Sequence, residues 1–538
     1  MNGKKRFINR LFSLIFAGLF IAALIVFPLA KAFGTFSGKE LLNALSKPSI
    51  SKILQFTLFQ SLLSTALSFL IGLPAAYFFA RSRGILTQIL NYITFIPFFL
   101  PSISMVVGFL VLYGKQGIIN NLARVLGFSQ INILYSFGAI ILGHVFYNSP
   151  ILVRVVGDSL KSIPKEFIEA TKIDGASGIK SFFKLELPLV MPSIVTSLIL
   201  IFSYCFTSFA VVLILGGSQF ATLEVAIYMY FRLLARPDIA LALAIVQFLF
   251  IFAYGLALFF IEKRTKFKAG EPYHFRSVPL KTYTIFYLLF EGLPVIAAIA
   301  GSVYNFASNS FTFDRIKHVF SFSRWEMLNT SPVGAFVRSI AVSLITALVG
   351  VVLFFFITWK LRESKYSSLF IRLLSLISVS ITPAILALSY SIIYGTIPVV
   401  IKLIFAYLVI AFPVAIGLMH SRISSLDKTP LEASMIDGAN VLQRFWYILL
   451  PLMKQTFLST FAIIFAISMG EFAASLIIGG EKFPTATVAI YRLISARYVS
   501  EARFISALLI VTVFTFIGLT TKIFVYPSKV SDSIHNNI

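Results

Sequence analysis

Charge is scarce in this chain. Only 12% of its 538 residues are Asp, Glu, Lys or Arg, and 58% are hydrophobic, whereas a soluble domain carries about a quarter charged residues and under half apolar. A soluble multidomain enzyme is excluded, because such a surface could not face water. Cysteine is nearly absent. The single Cys205 permits no disulfide within the chain and no cysteine-based zinc site; lying in an apolar run, it reads as a small buried hydrophobe. No His, Cys or carboxylate group has metal-ligand spacing either, so no metal site is expected. Acidic residues are outnumbered 21 to 45, for a net charge of +24.

That excess of base invites a nucleic-acid reading, which its distribution contradicts. The basic residues cluster at Lys4, Lys5, Arg6 and Arg10, at Arg81 and Arg83, at Lys263, Arg264, Lys266 and Lys268, and at Lys360, Arg362 and Lys365. Between and around them lie twelve apolar runs, at 10–33, 54–80, 88–113, 133–156, 187–215, 239–262, 282–303, 335–359, 367–394, 398–419, 449–478 and 503–526. A helix needs roughly 20 apolar residues to cross a bilayer core. Alternating segments of about 10 residues, the mark of a membrane barrel, are missing. The expected fold is therefore all-α and polytopic, with about twelve transmembrane helices in contact with lipid. With twelve spans the basic clusters share one side, which places both termini in the cytoplasm. The first run follows a basic stretch, and Ala30-Lys31-Ala32 imitates a signal-peptide cleavage site. Its apolar part, 11–30, exceeds a usual signal core, so it is expected to remain as an anchor.

The chain repeats itself. Glu169 matches Glu432, and 432 − 169 = 263. The same offset relates Pro150 to Pro413, Gly175 to Gly438, Pro188 to Pro451, Gly216-Gly217 to Gly479-Gly480, and Val225–Tyr228 to Val488–Tyr491. Earlier in each half the offset is 281 or 282, as for Tyr113 with Tyr394 and Pro101 with Pro383. The first half therefore carries an insertion within about residues 115–132, on the outer side. Two repeats result, 1–270 and 271–538, with six spans each. Six is even, so the halves run parallel, and a pathway at their interface is the natural consequence.

The best-matched stretch is EATKIDGASGIKSFFKLELP, Glu169–Pro188, which recurs as EASMIDGANVLQRFWYILLP, Glu432–Pro451. Each follows the fourth span of its half, within cytoplasmic loops 165–188 and 428–451. The local chemistry reads as helix, hinge, helix. Thr429 as cap, Pro430 at the first helical position and Glu432 three residues on suit a helix start, with Pro164 and Glu169 as a looser version. Gly175 and Gly438 end the short helix, and Ser177 and Asn440 cap the next. Asp174 and Asp437 are odd, since the helix dipole opposes a carboxylate at a C-terminus. Either the next helix N-terminus compensates, which is the simpler expectation, or a partner reads the charge. The second helix continues through Leu187-Pro188 or Leu450-Pro451 into the fifth span, so a push on the loop tilts a membrane helix.

At these residues the sequence resembles the permeases of ATP-binding-cassette importers, whose EAA loop has this order. Here the motif is Glu169-Ala170-Thr171, Gly175, Leu185 and Leu187-Pro188, then Glu432-Ala433-Ser434, Gly438, Ile448 and Leu450-Pro451. Thr171 and Ser434 replace the usual second alanine. The resemblance implies a type I, MetI-like permease with both halves fused. It assigns Glu169, Ala170, Asp174, Gly175, Pro188, Glu432, Ala433, Asp437, Gly438 and Pro451 to coupling with an ATPase. The chain has no Gly-x-x-x-x-Gly-Lys-Ser/Thr phosphate loop, so ATP and Mg are expected on a separate ATPase homodimer. An extracytoplasmic solute-binding protein is the other implied partner, and the setting is a bacterial inner membrane. Tyr113–Gly117, Gly143–Pro150, Ser208–Ala210 and Ala221–Tyr228 look most like thiamine permeases. GEFAASL, Gly470–Leu476, is shared with anion and iron permeases. Thiamine or a thiamine phosphate is the first expectation for the solute, and ferric iron the second.

Ser208 and Glu471 are matched positions about 20 residues past the proline of the fifth span, or about 30 Å along a helix. They are candidates for the pathway or its gate; alternatively Glu471 is an ordinary helix-end carboxylate. Glu291, in the seventh span, is expected at a peripheral, structural position. His144 reads as a packed or hydrogen-bonded histidine, and the Gly-Gly pairs as turns. An ion-coupled secondary transporter would explain twelve spans but not two EAA loops. A membrane enzyme would need a catalytic cluster that the sequence lacks.

Overall fold

In a bilayer core no water is available to backbone N–H and C=O groups, so an apolar run must satisfy them as a helix. The computed structural model describes residues 18, 22–175, 178–261, 273–275, 277–305, 310–311, 317–320, 325–362, 371, 374, 378, 380–427 and 429–522. Ser177, the basic residues before position 18, those at 263–268, and Lys365 lie outside the described residues. The helices are α1 (Ala22–Phe33), α2 (Gly38–Leu45), α3 (Pro48–Arg81), α4 (Ile85–Ile93), α5 (Ser102–Tyr113), α6 (Ile118–Val125), α7 (Phe137–Lys161), α8 (Lys165–Ile173), α9 (Ile179–Phe206), α10 (Leu223–Tyr228), α11 (Pro237–Ile261), α12 (Val278–Val303), α13 (Pro332–Leu361), α14 (Pro383–Ile393), α15 (Val399–Ser424), α16 (Thr429–Ile436), α17 (Val441–Gly470), α18 (Ala486–Ser495) and α19 (Val499–Lys522). Ten helical stretches among the described residues are long and apolar enough to cross a membrane, and α1, α14 and α18 are shorter apolar helices. The all-α, multi-span class is as expected. The strands among the described residues form one short hairpin, Tyr304–Asn305 with Ser310–Phe311.

Four of the expected spans are interrupted; in 367–394 the chain bends at Ile381, and Thr382 caps α14 as a new helix. The run 88–113 is not one helix: Pro97 and Pro101 divide it into α4, a single turn at Ile96–Phe99, and α5, since proline supplies no N–H to continue the ladder. The runs 187–215 and 449–478 end as helices at Phe206 and Gly470. After a break, each resumes as a wide turn, at Val211–Leu215 and Ser475–Gly479. The insertion in the first half is α6 with the loop up to Ser136, where the second half has only the link from Tyr394 to Pro398. Asn120 staples that loop. Its Nδ2 donates to the Gly114 and Ile131 carbonyls at 2.9 and 3.0 Å, and its Oδ1 accepts from Ile131 N at 2.8 Å.

Packing divides the chain into two units, one of Phe33–Val333 with Thr487–Ala507, the other of Met1–Ala32, Gly334–Ala486 and Leu508–Ile538. In the first, α3 lies against α7 along small residues. A Cβ on Gly72 would stand 3.0 Å from both Leu152 Cδ2 and the Ser149 carbonyl oxygen, so the close approach requires glycine. His144 Nδ1 pairs with Ser64 Oγ at 3.0 Å, and buried Cys205 accepts from Asn148 at 3.3 Å. Helix α12, which opens the second repeat, also belongs to this unit. Tyr283 donates to the Ile71 carbonyl at 2.6 Å, and Ser149 Oγ donates to Glu291 Oε1 at 3.0 Å. Glu291 is therefore not peripheral: it is 1% exposed, held between Ser149 and the neighbouring Tyr287.

The other unit shows the reciprocal arrangement. Tyr390 and Tyr394, from the second repeat, donate to the Leu24 and Ala23 carbonyls of α1 at 2.6 and 3.1 Å. Ala32, from the stretch that imitates a cleavage site, is fully buried there. The leading helix of each repeat thus packs in the unit that holds the fourth and fifth spans of the other repeat. The sequence repeat and the packing unit are different divisions of the chain.

Candidate functional site: two matched elbows

The two repeated loops fold as helical elbows of one design. In the first, α8 runs to Ile173, Asp174 caps it, and Gly175 turns the chain at φ +76°. In the second, α16 runs to Ile436 and Gly438 turns at φ +79°. Only glycine enters this left-handed region cheaply. Asn440 then caps α17 reciprocally with Gln443, both bonds 2.9 Å. In the first elbow a second left-handed residue, Gly178 at φ +56°, precedes α9.

Pro188 and Pro451 sit inside continuous helices, where a proline ring would collide with the preceding turn. Both copies solve this in the same way. The ladder widens by one residue just before the proline: Leu187 N–H donates to the Phe182 carbonyl and Leu450 N–H to the Phe445 carbonyl. Such single wide turns are a recognised device for inserting an irregularity without ending a helix. The helix after each hinge therefore runs unbroken into a span.

One local expectation is corrected. Thr429 does not act as the cap of α16. Its own N–H and hydroxyl donate to Asp427 Oδ1 at 3.0 and 2.8 Å, because a carboxylate two residues upstream is the stronger acceptor for the free N-terminal donors. Asp174 and Asp437 make no direct bond to the helix that follows. Both are exposed, the cap of α17 is Asn440, and among the described residues neither carboxylate has a hydrogen-bond or ion-pair partner. Glu169, Ala170, Glu432 and Ala433 are exposed on the same short helices, as are Pro188 and Pro451 at the mouth of the spans.

The elbows also present oil to their surroundings. Ile173 and Ile436 are each 87% exposed, and they are counterparts, since 436 − 173 = 263. At the same offset Ile179 and Leu442 are exposed, and so are Phe183 and Trp446. An exposed apolar patch of this kind marks a surface built for contact. Sequence reasoning passed over these residues; the signal was an apolar residue kept at one offset within an otherwise polar loop.

Ser208 and Glu471 lie at the breaks after α9 and α17. Glu471 Oε1 accepts Ala474 N–H at 3.0 Å, opening the next turn, and its carbonyl accepts from Ser475 Oγ at 2.6 Å. Ser475 Oγ in turn meets Tyr407, at 2.6 Å. In the first half, the Ser208 carbonyl accepts from Thr222 at 3.3 Å. Both are half-buried. Glu471 thus has a capping role in the fold, whatever else its carboxylate does.

The pattern of a protein family described as binding-protein-dependent transport system inner membrane component matches residues 68–267 and 361–525, and so includes both elbows. A probable transport system permease protein of Clostridium pasteurianum, NifC, is 29% identical over 45% of this chain and 86% of its own length. A thiamine transport system permease protein of Haemophilus influenzae is 25% identical over 82% of this chain and 83% of its own. A ferric transport system permease protein of Actinobacillus pleuropneumoniae is 23% identical over 88% and 72% respectively.

Proposed function

This chain belongs to the binding-protein-dependent transport system inner membrane components, the permeases of ATP-binding-cassette importers, and from that premise we propose that its two elbows are the contacts for a pair of identical ATPase subunits. The observation that carries the reading is the matched exposure of Ile173 with Ile436, Ile179 with Leu442, and Phe183 with Trp446. Two equal apolar patches suit two equal grooves, and a homodimer supplies them. Glu169 and Asp174 on the first elbow, and Glu432 and Asp437 on the second, add carboxylates that select basic partners. ATP and Mg act on those partners; this chain supplies the path. A solute-binding protein delivers cargo at the opposite face, and both termini lie with the elbows in the cytoplasm.

For the solute we propose thiamine or a thiamine phosphate. The thiamine permease relative spans most of both chains, and the Glu471 carboxylate at the end of a span suits a cationic solute. The ferric permease relative supports iron as the second reading. The test is uptake into vesicles that carry this chain with its ATPase and binding protein. ATP-dependent accumulation of thiamine but not ferric iron supports the first reading, and the reverse result the second. If no ATPase copurifies with the chain, the coupling role of the elbows is wrong.

A further inference from the structure

Although matched in outline, the elbows are fastened differently. The first is tied by polar bonds. Arg81, the last residue of α3, reaches Glu186 with Nη2 at 2.6 Å and Nε at 3.1 Å, both to Oε2. Tyr77 donates to Glu186 Oε1 at 3.1 Å. The pair is fully enclosed, with side chains 0% and 2% exposed. Phe275 N–H donates to the Arg81 carbonyl, and the Phe182 and Phe275 rings lie against Tyr77. A second tie joins α8 to the start of α9: the Thr171 and Ser181 hydroxyls meet at 2.9 Å.

Neither tie recurs. Glu186 is replaced at the 263 offset by Leu449, Thr171 by Ser434 and Ser181 by Arg444. Leu449 is buried in an apolar cluster with Phe355, Met419, Ile423 and Met453. Ser434 donates within its own helix, to the Leu431 carbonyl at 2.8 Å.

These fastenings respond differently to force. A buried charge pair is held by a steep, directional interaction, and separating it strands two charges away from water. Apolar contacts lack direction, and methionine adapts its shape, so such a joint can slide while staying buried. We propose that the two halves are mechanically unequal. Arg81 and Glu186 weld the first elbow to α3, so that α8, the start of α9 and the end of α3 move as one block. The second elbow pivots on an oily joint against α13. Arg81 and Glu186 are positioning residues: they touch no solute and act through the attitude of α8.

The weld can be tested on the full chain in lipid nanodiscs, without a motor. Amides of 179–187 should exchange with deuterium more slowly than those of 441–449. Glu186→Gln should speed the first set at least about tenfold and leave the second within about twofold. If Glu186→Gln does not insert stably, the pair Arg81→Met with Glu186→Leu installs an apolar joint without stranding a charge, and should do the same. Equal exchange in the two wild-type elbows, or no response to the paired substitution, overturns the proposal.

The consequence for motion rests on the reading of the elbows as ATPase contacts, and it has its own readout. Spin labels at Ile173→Cys with Leu70→Cys report the first joint, and Ile436→Cys with Val352→Cys the second. All four positions are exposed, and Cys205 is buried. Trapping nucleotide on the bound ATPase should leave the first distance within about 2 Å and shift the second clearly more. Equal shifts refute the inequality. Failure of any ATPase to bind refutes instead the coupling role, and the exchange result stands apart from it.

Discussion

Gly108 and Pro294 touch backbone to backbone: a Cβ at position 108 would stand 2.1 Å from the Pro294 carbonyl oxygen. This contact seats α12, from the second repeat, against α5 of the first. Nothing there can yield cheaply, because the obstructing atom belongs to a helix backbone. Gly108→Ala should lower stability by about 1–3 kcal/mol. The measurement is apparent melting temperature in detergent. Gly292→Ala, on the same helix with nothing within 4 Å, serves as the control and should leave melting unchanged. Equal melting of both variants would count against this packing of α12.

Gly175 and Gly438 pose a different constraint. Each has open space around it but a positive φ. A valine at either site meets no neighbour, yet must distort the turn, at about 1–2 kcal/mol per residue. Because both glycines are exposed and touch no neighbour, the melting temperature should hardly move. Capture of the ATPase on an affinity column should drop for either variant and vanish for both together.

Replacing Ile173 or Ile436 by serine removes a side chain whose full burial is worth about 1.5–3 kcal/mol. Each single change should weaken ATPase binding by about tenfold or more, as read by titration calorimetry on nanodiscs. The losses should be similar for the two elbows, since the exposed patches match. Unchanged binding would mean that the patches face something other than the motor.

Glu471 allows its two roles to be separated. A glutamine keeps an oxygen that can accept the Ala474 N–H and removes the charge. Glu471→Gln should therefore melt like the wild type but accumulate thiamine in vesicles at least about tenfold more slowly. Glu471→Ala loses the cap as well, and should also be destabilised by about 1 kcal/mol. Normal uptake by the glutamine variant would reduce the residue to a cap.

Much of the site could be read along the chain. The two glycines with positive φ and the capping Asn440 are local features, and they appear where their chemistry places them, whereas Pro188 and Pro451 lie inside α9 and α17 and need a widened turn before them. Thr429 does not cap α16 because it lies inside the helix, and its own N–H and hydroxyl donate to the Asp427 carboxylate. The breaks at Pro97, Pro101, Ser208 and Glu471 were hidden inside apolar runs. Hydropathy counts greasy residues and is blind to whether the ladder of N–H groups continues through them.

Apolar length settled that the chain lives in a bilayer, and a single offset of 263 settled that it is built twice. Both are periodic properties of one dimension, so they survive without coordinates. Folding in three dimensions chose which repeat receives each leading helix, buried Glu291 against Ser149, and brought Arg81 to Glu186 across 105 residues. Such pairings depend on which surfaces meet when helices pack, and a charge or a glycine carries no mark of its distant partner until they do.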